Sequence, residues 1–314
     1  MADKGIDKKK VLATLDRILE AELAGVVRYT HYAFMIFQCM FAVITPALII
    51  GTYAERIKFS AFLAFTVLWA TFVYDPLGHW VWGTGGWLRN LGALDFAGGI
   101  VVHTSSGVSA LVLALLIGKR IGMERQHFAP HNLPFTVLGG ALLWFGWFGF
   151  NAGSALSANE LAATAFVTTT VATAAAGLTW ALIEWQQNGA PTALGAVTGA
   201  VAGLVAVTPA CGFVNPMNAI FIGIIVSLLC YVAIAKVKSY FKYDDSLDVF
   251  GVHGVGGIWG TIATGLFAEK AVNDAGANGL FFGGAQQLLI QCMLVVVTVV
   301  FAVAMTWIIF KLVD

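Results

Sequence analysis

Residues 95–110 read D-F-A-G-G-I-V-V-H-T-S-S-G-V-S-A, and residues 248–261 read D-V-F-G-V-H-G-V-G-G-I-W-G-T. Each stretch places a histidine, His103 or His253, well inside an apolar run. A titratable ring is expensive in hydrocarbon, so at such a position it marks function rather than filling. The residues that share its helical face are small: Gly99, Gly107 and Ala110 around His103, and Gly257, Gly260 and Thr264 around His253. A face stripped of bulk around a polar ring is what a narrow lumen requires, and both histidines are predicted to line one. Asp95 and Asp248 open the two stretches. An aspartate at a helix start accepts from free N–H groups and complements the dipole, so both are expected to be structural caps that also favour a passing cation indirectly.

Outward from these two stretches the chain continues in the same manner. Of its 314 residues 59% are hydrophobic and 11% charged, which excludes a water-soluble globule. Apolar runs near 33–53, 60–80, 98–118, 134–155, 161–184, 192–210, 217–236, 249–268 and 286–311 are each about long enough to cross ~30 Å of hydrocarbon. They lack the period-two alternation of a membrane β-barrel. The expected fold is therefore all-α, a polytopic membrane bundle of about nine transmembrane helices. The 17 basic residues are matched by 17 acidic ones and form no clustered face, so nucleic acid is not a partner. Cys39, Cys211, Cys230 and Cys292 show no metal-ligand spacing and read as small buried hydrophobes. His127 and His131 share H-F-A-P-H, where Pro130 spoils a helical metal pair, and are read as a solvated loop.

Loop charges set the orientation. Arg56, Lys58, Lys119, Arg120, Arg125, Lys236, Lys238, Lys242 and Lys311 follow odd-numbered runs, against Arg89 and Lys270 after even-numbered ones, which places the loops after odd runs in the cytoplasm. The first run would then begin outside. Six basic residues, Lys4, Lys8, Lys9, Lys10, Arg17 and Arg28, precede it and favour the opposite side. No apolar core of a signal peptide follows the lysines. Leu12, Leu15, Leu19, Val26 and Val27 instead fall at helical spacing among charges, as in an amphipathic helix. Residues 1–32 are accordingly separated from a transmembrane domain at 33–314, and a single long helix is expected from about Val11 to Ile50 with a bend at Gly25.

The run from Asp95 to Arg120 resembles the signature of the ammonium transporter (Amt/Mep/Rh) family, and W-F-G-W-F-G-F-N-A-G-S at 144–154 and D-V-F-G-V-H-G at 248–254 are similar to two more of its motifs. The resemblance extends from about Phe37 to Leu312. It implies inverted repeats around a pore and a homotrimer in the bilayer, with ammonium or ammonia as the substrate and neither cofactor nor enzymatic step. Residue by residue, it makes His103 and His253 the twin pore histidines and Phe41 and Phe150 a stacked phenyl gate. Trp82, Ser154 and Phe41 become the ammonium-recruiting positions, with Asp95 as a buried support.

The same resemblance leaves the first two family helices without a counterpart, so the first repeat is expected to be incomplete. The family's cytoplasmic tail, where a regulatory protein docks, has no counterpart after Asp314, and that partner is not expected. Residues 8–36 look like the first helix of a bacterioferritin-type protein, with Glu22 at an iron-ligand position. The rest of such a four-helix site is missing, so no metal is expected. Two other classes fit the pattern: an ammonium sensor or non-conducting member, and a secondary transporter of another small solute. The second would carry more intramembrane carboxylates than this sequence has.

Overall fold

The structure is a computed structural model that describes residues 8–123, 128 and 130–314; His127 lies outside them, and His131 is exposed. Among the described residues every regular element is helical. The chain divides into two compact units, residues 1–43 and 44–314.

The first unit is built from the leading part of α1 (Lys8–Tyr53), a helix of 46 residues that runs unbroken through Gly25. Leu12, Leu15, Leu19, Val26 and Val27, the apolar positions of the amphipathic pattern, are all exposed. Of the four cysteines read as buried hydrophobes, Cys211 and Cys230 are buried, Cys292 is half-buried and Cys39 is exposed.

The second unit holds the remaining helices. In order they are α2 (Phe59–Trp69), α3 (Asp75–Trp82), α4 (Trp87–Asn90), α5 (Ser105–Ile117), α6 (Leu133–Asn151), α7 (Glu160–Asn188), α8 (Ala193–Val207), α9 (Pro216–Val232), α10 (Lys238–Phe241), α11 (Val255–Phe267) and α12 (Ala285–Val313). Side-chain caps fix several starts: Asn132, Asn159, Thr192 and Asn215 accept from the backbone N–H groups of Phe135, Ala162, Gly195 and Asn218. Among the described residues seven helical runs are long and apolar enough to cross a bilayer, by length and composition. Each of the nine apolar stretches of the sequence contains helix, and the two outside that set are 192–210 and 249–268.

The first of these, α8, has only 15 residues, about 22 Å of rise against ~30 Å of hydrocarbon. Pro209 stops it, and Thr208–Val214 continue as a fully buried turn. Irregular backbone at that depth is tolerated because protein, not lipid, surrounds it. Here Thr168 donates to the Cys211 carbonyl at 2.8 Å, and the Trp147 indole N–H donates to Thr208 Oγ1 at 2.9 Å. Around α8 the helices meet through small residues. A methyl group on Gly199 would crowd Trp180, one on Gly203 would crowd Ala176, and one on Gly223 would overlap the Ala172 carbonyl. Close backbone approach of this kind replaces the hydrophobic effect, which does not act between helices in lipid.

Candidate functional site

Both histidines sit on short π turns that lead into helices, Gly99–Thr104 before α5 and Phe250–Gly254 before α11. A π turn inserts an extra residue into the helical repeat, so the His103 N–H reaches back five residues to the Gly98 carbonyl at 3.0 Å. Gly98 starts that turn at φ 116°, a conformation open to glycine. The fold brings His103 and His253 together: their Nδ1 atoms lie 3.2 Å apart and their rings stack with centroids 5.2 Å apart.

Other aromatic rings surround the pair. Trp147 stacks on His103 at 5.3 Å between centroids, and Phe150 lies 6.0 Å from it. His103 is buried, and its Nε2 is a buried nitrogen without a hydrogen-bond partner; His253 is half-buried. One turn beyond Phe150, the Ser154 hydroxyl donates to the Phe150 carbonyl at 2.8 Å. With its proton so engaged, the Ser154 oxygen has lone pairs left to accept from a donor. Trp82 donates its indole N–H to the Asp95 carbonyl at 2.8 Å, which fixes the ring beside the start of the His103 turn. Phe41 lies on α1 in the first unit, edge-to-face with Phe37 at 4.9 Å. Its place in a gate with Phe150 rests on the resemblance alone.

The small residues beside the histidines have a different purpose from the one the sequence suggests. A methyl group on Gly107 would overlap the Gly254 backbone, and one on Gly257 would meet the Thr104 backbone and the Gly99 carbonyl at 2.8 and 2.9 Å. Gly260 and Gly99 are filled in the same way by Ala206 and Pro209. The glycines of the stripped faces are therefore packed against neighbouring backbone and side chains. They let α5 pack at backbone contact on the π turn before α11, and α11 on the π turn before α5, and this reciprocal crossing brings the two imidazoles together.

The caps also divide differently. Asp95 is buried, and its carboxylate accepts from the N–H groups of Gly98, Gly99, Ile100 and Val101 at 2.6–3.2 Å, as a cap should. Asp248 does not do this for the second turn. It adopts a positive φ of 57° and forms an ion pair with Lys238 at 2.6 Å. Its predecessor Asp245, fully buried, accepts from the Phe250 N–H at 2.7 Å and from the Thr52 hydroxyl at 2.9 Å. Asp245 precedes His253 by eight residues, as Asp95 precedes His103, so the true counterpart was legible as a shared D-x7-H spacing.

Around Asp245 a charged cluster ties three loops together. Arg120 bonds both oxygens of Asp244 at 3.0 Å, Arg56 reaches the same carboxylate at 3.4 Å, and Arg56 also donates to the Gly118 and Thr52 carbonyls. Burial works to raise the Asp244 carboxyl, but the bonds from Arg120 and the charge of Arg56 outweigh it and hold the group below its ordinary value. For Asp245 burial prevails and the carboxyl is pushed up.

A sequence model described as the Ammonium Transporter Family matches residues 9–314. The chain belongs to the ammonium transporter family. It is 56% identical to the ammonium transporter of Bacillus subtilis over 284 residues, 90% of this chain and 70% of that protein. It is 50% identical to the ammonium transporter of Aquifex aeolicus over 292 residues, covering 92% of this chain and 68% of that one. The crystal structure of Saccharomyces cerevisiae Mep2 superposes with a TM-score of 0.83 at 38% identity over 88% of this chain and 63% of that chain. This member of the ammonium transporter family thus spans about two thirds of the length of such relatives. It is a multi-pass membrane protein of a transporter family, with the all-helical fold that its sequence implied.

Proposed function

We propose that this chain moves ammonium nitrogen across the bilayer, with recruitment as the cation at the Trp82 end and passage of neutral ammonia along the His103–His253 pair. The observation that carries the reading is that pair: two imidazoles in Nδ1 contact, one buried, at the crossing of two helices. Family membership supplies the substrate class.

Electrostatics favours separating the proton at the outer vestibule, where water accepts it as ammonia enters the apolar path. An intact cation in hydrocarbon leaves a charge unpaired at a cost of many kcal/mol, whereas ammonia surrenders only hydrogen bonds. The indole face of Trp82 attracts a cation by about 0.5–2 kcal/mol, and the free lone pairs of Ser154 accept one of its hydrogens. A potassium ion has no hydrogen to offer. The Phe150 carbonyl accepts from Ser154 and the Phe150 ring lies 6.0 Å from His103, so this reading makes that ring the gate between recruitment and the imidazoles. At the histidines, His103 Nε2 offers a hydrogen-bonding position to ammonia while Nδ1 is engaged by His253. Phe41 as the second gate ring, assembly as a homotrimer and a separate domain at residues 1–32 complete the reading taken from the family resemblance and the sequence pattern.

Uptake of labelled methylammonium into proteoliposomes tests the proposal. The expected result is uptake competed by ammonium and unaffected by potassium. Absence of flux from correctly inserted protein would overturn it in favour of a sensing role, and flux unaffected by ammonium would point to another small solute.

A further inference from the structure

Within the apolar span of α12, two glutamines one turn apart, Gln287 and Gln291, are buried. Carboxamides in a membrane helix need partners, and Gln291 uses its full capacity. Its Oε1 accepts from the Leu94 N–H at 3.0 Å and from Gln287 Nε2 at 3.3 Å. Its Nε2 donates to the Leu94 carbonyl at 2.7 Å and to the Thr261 carbonyl at 3.2 Å. Gln287 donates in addition to the Gly92 carbonyl at 3.0 Å. The carboxamide of Gln291 therefore pairs with Leu94 as a neighbouring strand would, through both N–H and C=O, and holds α11 with the same amide.

Leu94 immediately precedes Asp95. That residue gives its carbonyl to Trp82 and its carboxylate to the turn of His103. Thr261 lies two turns beyond His253 on α11. One buried side chain thus connects the segment that fixes Trp82 and His103 to the helix that follows His253. We infer that Gln291 is a positioning residue of the transport site, setting the Trp82–Asp95 segment relative to the two histidines. The inference rests on the transport reading, since it assigns Gln291 an effect on recruitment.

The test compares wild type with Gln291→Glu and Gln291→Leu, and with Gln287→Leu, in proteoliposome uptake and in hydrogen–deuterium exchange of the purified protein. Gln291→Glu keeps the shape but faces two carbonyl oxygens with a group that lacks both N–H donors. Positioning predicts that half-saturation for ammonium rises by about five-fold, the size of losing one cation–aromatic attraction, while maximal flux stays within about two-fold. It also predicts faster exchange confined to the peptide spanning residues 92–101, with a smaller change in Gln287→Leu. If Gln291→Leu fails to fold, the glutamate variant and Gln287→Leu still decide. Wild-type half-saturation and exchange in a folded Gln291 variant would overturn the inference, as would exchange that rises throughout the helices, which marks general packing. A wild-type protein without flux would refute the transport reading; the exchange pattern would still decide whether Gln291 holds the segment.

Discussion

His103 and His253, 150 residues apart in sequence, approach through like atoms, Nδ1 to Nδ1 at 3.2 Å. Two such atoms hold one hydrogen between them, so in the neutral pair one ring is protonated at Nδ1 and its partner at Nε2. The contact is the product of a reciprocal crossing. Gly107 meets Gly254 and Gly257 meets Thr104, and each of these contacts maps onto the other by the shift that relates the histidines.

The crossing gives the first prediction. Gly107→Ala places a methyl group on the Gly254 backbone, which cannot yield as a flexible side chain can. Overpacking of this kind costs about 1–3 kcal/mol and here must also separate the imidazoles. Lowered thermal stability together with lost uptake is expected, and Gly257→Ala should behave alike. A Gly107→Ala protein with wild-type melting and uptake would show that the crossing is looser than described.

The two caps should be unequal. Asp95→Ala strands four backbone N–H groups in a buried site, whereas Asp245→Ala strands the Phe250 N–H and the Thr52 hydroxyl. Loss of a helix cap typically costs about 0.5–2 kcal/mol, and Asp95→Ala should lie at or beyond the upper end. Urea or thermal denaturation in detergent ranks them; an Asp245→Ala loss equal to or above that of Asp95→Ala would contradict the count of bonds.

Much of this was legible in the sequence, and the exceptions have physical reasons. Length and polarity identify a membrane helix because lipid allows few alternatives, so each apolar stretch contains helix. Short α8 escaped a correct length because burial within protein removes the bilayer's constraint. His103 and His253 stood out as polar rings in apolar runs, but the meaning of their glycine neighbours depends on what lies opposite, which periodicity cannot show. Asp248 stands next to the apolar run and reads as its cap, whereas the Phe250 N–H goes to Asp245. The π turn and the positive φ of Asp248 shift the register, and those are properties of backbone geometry. Gln291 was visible as a polar residue within a span, yet its partner Leu94 lies 197 residues away.

For recruitment, Trp82→Leu keeps apolar bulk and removes the best cation-attracting face. A loss of ~1 kcal/mol corresponds to about a five-fold rise in half-saturation or an equivalent fall in selectivity over potassium. Unchanged concentration dependence and ion competition would make Trp82 an anchor only.

The Asp244 cluster predicts an acid limit to stability. Its carboxyl titrates below its unfolded value, so its contribution is fully present above the unfolded pKa and is lost as pH falls through the lower folded pKa. Melting temperature should decline through the acidic carboxylate range, and Asp244→Asn should flatten that decline while lowering stability at neutral pH. Removing one partner of a buried ion pair costs about 3–5 kcal/mol at the upper end. A decline of the same steepness in the variant would place the acid sensitivity elsewhere.

The central claim, that the imidazole pair lies on the conduction path, is tested most directly by ammonium uptake through His103→Ala and His253→Ala proteins whose membrane insertion has been verified. The account predicts that each substitution abolishes uptake or alters its selectivity while insertion is retained. Wild-type flux and selectivity in both inserted variants would contradict it.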